Sequence, residues 1–258
     1  MDLVLKGRTG HPAFAVLDRY IYAHRGYHDK PAIPENSLPA FQRALERGWG
    51  AELDVHLLRD GTLCVFHDSD LSRCTGVNGV IEDLDLEGLK KLRLEGTEEQ
   101  VPLFDEVLAL FEDRTPLIIE LKAHGGNHRA LTEAVCRRLD SYRGAYCIES
   151  FDPRVLMCLK KLRPDVCRGQ LSMNFIKDPS GQPRFLRRPL TDLWFNLFTR
   201  PDFVAYDIAD RSRLALRHCI DALGVREASW TVRDRAAFDT AKKAGCLVIF
   251  ERFDPEAK

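Results

Sequence analysis

The feature that most constrains this 258-residue chain is a rhythm of short, apolar, β-prone runs, most of them separated by stretches of helical periodicity. The runs are Tyr20–His24, Ala51–His56, Pro116–Lys122, Ala145–Phe151, Cys167–Ser172, Asp202–Ile208, Glu227–Val232 and Cys246–Glu251. Between them, residues 37–47 place Leu38, Phe41 and Leu45 on one helical face, with Asn36 or Ser37 as cap and Gly48 as stop. Residues 128–142 do the same with Leu131, Val135, Leu139 and Tyr142. Residues 211–223 and 234–244 complete the set. Alternating strands and helices with apolar strands predict a parallel sheet covered on both faces. Eight strands suit a closed (β/α)8 TIM barrel better than an open doubly wound sheet. The Asp60-Gly61 turn before residues 62–67 predicts a hairpin, so a small hairpin and helix insertion, with a polar helix near 86–92, follows the second strand. No repeat or linker marks a boundary, and the reading is one domain over residues 1–258.

Charge narrows the function. Lys and Arg total 38 against 39 Asp and Glu, a formal net charge of −1, so no whole-protein positive field gathers nucleic acid or an anionic membrane, and any anionic substrate must be held locally. The longest apolar run is five residues, too short to cross a bilayer, and the segment MDLVLKGRTG lacks a signal-peptide pattern. The expectation is a cytoplasmic protein. Its eight scattered cysteines have neither C-x-x-C nor zinc-like spacing and read as reduced, small hydrophobes. Residues 184–200 are basic and aromatic, which allows weak peripheral contact with lipid headgroups. However, Leu190, Leu193, Trp194, Leu197 and Phe198 fall on one stripe, and the favoured expectation is an outer barrel helix packed on the sheet.

In a barrel of this kind, chemistry sits at the C-terminal ends of the strands. The first run ends in His24-Arg25-Gly26. The second holds Glu52 and Asp54, two residues apart and therefore on one face. The hairpin ends at His67-Asp68, the third barrel run carries Glu120 and Lys122, and the seventh carries Trp230. Singly, each has a bland reading: a turn, a solvated edge, an ion pair. Together they bring three carboxylates, two histidines, an arginine and a lysine to one end. Converging carboxylates repel one another unless a hard divalent cation joins them. Mg²⁺ or Ca²⁺ fits, with Mn²⁺ also admissible, and Arg25 and Lys122 suit an oxyanion such as phosphate. His11, His28, His56, His124, His128 and His218 show no such convergence and are read as surface or structural.

The order of motifs resembles the glycerophosphodiester phosphodiesterase family. It runs His24-Arg25-Gly26, Pro34-Glu35-Asn36-Ser37 with Ala40-Phe41, Glu52-Leu53-Asp54-Val55, Asp60-Gly61, and His67-Asp68 with Leu71 and Arg73. Downstream, Glu120–Lys122, Ser150–Pro153 and Ser229–Val232 extend the resemblance to residues 20–232. It implies a TIM barrel that hydrolyses a small-molecule glycerophosphodiester, such as glycerophosphocholine or glycerophosphoethanolamine, to glycerol 3-phosphate and an alcohol. It further implies His24 and His67 as general acid and base, Glu52, Asp54 and Glu120 as metal ligands, Arg25 and Lys122 on the phosphate, and Trp230 at the substrate pocket. One departure bears on head-group preference: the last strand ends Val248-Ile249-Phe250-Glu251-Arg252-Phe253, where the family usually has an Ile-Ile-Thr-Asp-like segment followed by Pro. A plain stretch from Glu95 to Pro102 implies a small cap and an open cleft, which keeps lysophospholipids, and so lysophospholipase D activity, as an alternative. A barrel that only binds phosphodiesters is disfavoured, because a binder has no use for an acid–base pair.

Overall fold

The computed structural model describes residues 1–257. Its strands are β1 (Tyr22–Ala23), β2 (Gly50–Leu57), β3 (Leu63–Val65), β4 (Leu117–Leu121), β5 (Tyr146–Ser150), β6 (Arg168–Ser172), β7 (Phe203–Asp207), β8 (Arg226–Val232) and β9 (Leu247–Phe250). Eight are parallel, in the order β1-β9-β8-β7-β6-β5-β4-β2, and a β1–β2 pairing closes them into a TIM barrel. Residues such as Leu117 to Leu121 are buried without alternation, because side chains fill the barrel on one face and helices cover the other. The antiparallel β3 pairs with the end of β2 and opens the insertion, which has an apolar cluster of its own around Phe66, Leu71, Ile81 and Leu89.

Register fixes what faces inward. The pairings Tyr22↔Ile249, Tyr22↔Gly50, Glu52↔Ile118 and Glu120↔Glu149 put residues of one parity on the inner face. The lower interior is apolar, built from Tyr22, Ile118, Cys147, Phe203, Ala228 and Ile249 and stoppered by Phe14 and Leu17. The upper interior carries Glu52, Asp54, Glu120 and Glu149, all buried. Two aromatic rings occupy space that glycines leave open. A Cβ on Gly50 would lie 2.6 Å from the Tyr22 ring, and one on Gly169 would lie 2.2 Å from the Phe203 ring.

Several elements are shorter than the sequence pattern predicts. The run Tyr20–His24 reduces to Tyr22–Ala23, and the polar helix near 86–92 to Leu86–Leu89, capped by the Asp85 side chain. The expected helix over 211–223 breaks into short pieces after β7. The expected outer helix around 184–200 is not continuous either. It splits into Arg184–Thr191 and Asn196–Thr199, with Pro189 in the first piece and Leu193 at φ 59° between them. The break divides the apolar stripe, leaving Leu190 and Leu193 buried while Trp194 and Phe198 stay 50% exposed. Among the described residues no helix is long and apolar enough to cross a membrane.

The glycine–aromatic fit yields a test. Gly169→Ala should destabilise the protein by about 1–3 kcal/mol through overpacking against Phe203. Adding Phe203→Leu should recover part of that loss in urea unfolding. Equal stability of wild type and Gly169→Ala would show that the ring is not confined by this contact.

Candidate active site at the C-terminal mouth of the barrel

The site begins with a sharp turn after β1. Arg25 and Gly26 have φ of 55° and 77°. A Cβ on Gly26 would sit 2.8 Å from the Ala40 backbone, so only glycine lets the turn lie against helix Leu38–Glu46. That helix starts where the Ser37 hydroxyl accepts from the Ala40 N–H, an N-cap worth about 1 kcal/mol. The two residues before Ser37 serve the site. Buried Glu35 accepts from Arg25 at 2.8 Å and from Arg73 at 2.7 Å, and also pairs with Lys30. Asn36 donates its amide N–H to Asp54 at 2.8 Å.

The structure brings the three predicted carboxylates together. Glu52, Asp54 and Glu120 each offer an oxygen within 4.8 Å of the others, and all are buried. Asp54 and Glu120 are cross-strand neighbours on β2 and β4. Lys122 Nζ lies 3.0 Å from Asp54 and 2.9 Å from Glu120, and the Arg25 backbone N–H donates to Glu52 at 3.1 Å. Ion pairing at Asp54 Oδ1 provides charge but no hydrogen bond, and that oxygen has no donor. An oxygen-only donor set with an unsatisfied carboxylate oxygen fits a hard divalent cation. A second grouping, Glu35, Cys74 and Glu95, is already neutralised by Lys30, Arg25 and Arg73.

Burial and mutual repulsion divide the titration of the cluster. Burial first, then Asp54, Glu120 and Glu149, pushes Glu52 well above the usual carboxyl range. Burial and Asp54 raise Glu120 to about 7, although Lys122 opposes them. Burial acts in the same sense on Asp54, but Lys122, His67, Arg25 and Asn36 outweigh it and hold that group well below the ordinary value. Glu149, beside Glu120 in register, is raised by burial and by its acidic neighbours, and its Oε2 has no hydrogen-bond partner.

Both predicted histidines are tied to carboxylates through Nδ1. His24 Nδ1 meets Glu251 Oε2 at 2.8 Å, while its Nε2 lies 3.9 Å from Glu52. His67 Nδ1 meets Asp68 at 2.5 Å, and Arg73 pairs with the far oxygen of Asp68. A carboxylate at Nδ1 favours the proton there and leaves Nε2 as the unprotonated nitrogen of the neutral ring. Burial lowers His24, helped by Arg25 and opposed by Glu251. Burial and Lys122 lower His67 to about 4. His67, Glu120 and Lys122 open into one groove of about 570 Å³ whose apolar wall includes Leu121, Phe151, Leu186, Leu190 and Phe195. Trp230 packs edge-on against Phe151 with ring centroids 5.6 Å apart.

Four supporting residues had no assigned role in the sequence reading. Glu251 is the most informative, because parity and position at the end of β9 single it out as they do Glu120. It accepts from Arg233 at 2.7 Å as well as from His24. Against burial, His24, His28 and Arg233 hold its carboxyl far below the usual range. Glu35, Asn36 and Asp68 lay inside quoted motifs, but pairing across turns is invisible in spacing. His28, set aside in the sequence, is buried with Nε2 3.7 Å from Glu251, so it does converge on the site. His56 is structural: it bridges Glu82 and the His67 carbonyl.

Fold and site together define a TIM-barrel enzyme with an acidic, metal-competent floor, paired imidazoles and cations suited to phosphate. The glycerophosphoryl diester phosphodiesterase family profile matches residues 24–251, and the chain belongs to that family. By class it is a glycerophosphodiester phosphodiesterase. A glycerophosphodiester phosphodiesterase of Bacillus altitudinis is 33% identical over 170 residues, covering 62% of this chain and 69% of that protein. A lysophospholipase D of Rattus norvegicus is 33% identical over 140 residues, 49% of this chain and 42% of its own length. Among solved structures, an Oleispira antarctica phosphodiesterase in complex with sn-glycerol-3-phosphate superposes with TM-score 0.73 at 24% identity, over 90% of this chain and 92% of that one, and supports the fold.

The titration of Glu120 yields a prediction for metal binding. With its carboxyl raised to about 7, the metal-free folded protein keeps a proton that the unfolded chain releases near the ordinary carboxyl value of 4.5. Stability therefore falls as pH rises between those values. A cation bound at pH 6 should expel at least one proton, because Glu52 is raised as well as Glu120, and its affinity should rise with pH through neutrality. Calorimetry of Mg²⁺, Mn²⁺ or Ca²⁺ binding in buffers of different ionisation enthalpy reads the proton count. A count of zero at pH 6 would count against both Glu52 and Glu120 as ligands that must lose a proton to bind.

Proposed function

We propose that the protein hydrolyses glycerophosphodiesters, such as glycerophosphocholine and glycerophosphoethanolamine, to glycerol 3-phosphate and an alcohol, with His24 and His67 as the acid–base pair. The observation that carries this reading is the pair of imidazoles anchored by carboxylates at Nδ1 beside a buried carboxylate trio. Glu52, Asp54 and Glu120 would hold one divalent cation, Mg²⁺ or Ca²⁺, with Mn²⁺ admissible. When bound, that ion supplies Lewis-acid polarisation of a phosphoryl oxygen. Arg25, held by Glu35, and Lys122 bind and neutralise the phosphate. One imidazole takes a proton from the nucleophile, either the neighbouring glycerol hydroxyl or water. The other returns a proton to the departing alkoxide. Trp230, braced by Phe151, borders the substrate.

The apolar wall of the groove supports a second substrate class. Leu121, Phe151, Leu186, Leu190 and Phe195 beside Lys122 and His67 offer an alkyl chain a place to lie. A lysophospholipid would present its phosphodiester to the same groups.

Glycerol 3-phosphate release from glycerophosphocholine should vanish with EDTA and return with one of the three ions. Alanine at His24 or His67 should cost about 10²–10⁴ in kcat without loss of fold. Near-wild-type turnover in either variant would remove that histidine. Glu251→Gln, which keeps shape but not charge, should lower kcat by roughly 10–100-fold with KM little changed, and Glu251→Asp should recover part of it. A KM effect alone would confine Glu251 to substrate binding. Leu186→Glu should depress lysophosphatidylcholine cleavage selectively, and equal loss on both substrates would discard the second class.

A further inference from the structure

The connection from β6 to β7 is a partition with two unlike faces. On its inner side Leu186, Leu190 and Phe195 wall the catalytic groove. On its outer side Trp194, Leu197 and Phe198 line a separate cleft of about 1030 Å³, closed by Val4 and Leu5 and edged by Leu214. Trp194 and Phe195 are consecutive, so the turn around Leu193 sends one aromatic ring to each compartment. The outer face is not a sealed core. Leu214 is 87% exposed and Phe185, one turn before Arg188, is 76% exposed. Isolated exposed hydrophobes are ordinary, but a contiguous apolar cleft lined by Trp194, Leu197, Phe198 and Leu214 marks an interaction surface.

The segment that carries Trp194 and Phe198 has a definite sign. Residues 184–200 contain Arg184, Arg187, Arg188 and Arg200 against the single acid Asp192. Asp192 is shared by Arg188 and Arg213. Arg187 donates to the Gln182 carbonyl, and Arg200 to the carbonyls of Leu3 and Lys6, contacts that leave their positive charge uncompensated. The net charge of the whole chain is −1, so this cationic, aromatic surface is a local concentration. Half-exposed Trp and Phe beside arginines match the headgroup–acyl boundary of a bilayer, where amphipathic rings and guanidinium groups both find partners.

We propose that this face docks the protein on an anionic lipid bilayer. Trp194, Phe198 and Phe185 enter the headgroup–acyl boundary, and Arg184, Arg187 and Arg200 meet lipid phosphates. The partition then holds the catalytic groove alongside the lipid surface. Docking follows from the outer face alone and does not depend on which diester the groove cleaves.

The test is co-sedimentation of the full chain with phosphatidylcholine vesicles prepared with and without phosphatidylglycerol, at low and high salt. The wild type should bind only the anionic vesicles and release at high salt. Trp194→Ser with Phe198→Ser should abolish binding, and Arg184→Gln with Arg187→Gln should weaken it roughly tenfold. Circular dichroism and turnover of water-soluble glycerophosphocholine should be unchanged in both double variants. No binding to anionic vesicles at low salt, or binding that survives both double substitutions, overturns the proposal. Self-association that depends on Trp194 and Phe198 without vesicle binding would assign the face to a second copy of the chain and overturn it equally.

Discussion

A carboxylate taken out of water costs several kcal/mol unless partners replace the lost solvation, and this barrel buries three within 4.8 Å of one another. The surrounding residues answer that cost. Lys122 lies against two of the three, Asn36 and the Arg25 backbone donate to Asp54 and Glu52, and Glu52 and Glu120 are driven toward the neutral form. Compensation stays incomplete, because Asp54 Oδ1 and Glu149 Oε2 keep no hydrogen-bond donor. What sets the trio apart from the grouping around Glu35 is that it is oxygen-only and wholly buried, whereas Glu35 shares its grouping with the Cys74 thiol and the less buried Glu95.

The same electrostatics explain why the cations and histidines are braced from behind. Arg25, whose Nε lies 3.6 Å from Asp54, is held on its other side by Glu35, and Glu35 is itself fixed by Arg73 and Lys30. Arg73 also reaches Asp68, the anchor of His67, so Arg25 and His67 share one support. His24 has an independent support in Glu251, Arg233 and His28. Separate anchors hold the two chemically identical side chains independently of each other.

Periodicity made the barrel legible, because strands buried on both faces read as apolar runs whatever lies at their ends. Residue parity then made Glu52, Asp54, Glu120 and Lys122 legible as one face. Local irregularity was less visible. Nothing in the stripe from Leu190 to Phe198 announces that Leu193 turns left-handed and exposes Trp194. The bracing residues were hidden for another reason. Glu251 and His24 meet only because the sheet closes, and spacing along a chain carries no information about closure. Glu35 and Asn36 sit in a turn whose backbone aims them in different directions, one at a guanidinium and one at a carboxylate.

The bond between His24 and Glu251 joins residues 227 apart, across the seam where β1 meets β9. Glu52, Asp54 and Glu120 are all translated before Glu251, the last of them 131 residues ahead of it. A nascent chain on the ribosome therefore carries the full acidic cluster long before the imidazole beside it has its anchor. The anchor arrives with the last strand. Synthesis from N- to C-terminus thus makes the His24–Glu251 contact available only after the acidic cluster, together with the pairing that seals the barrel.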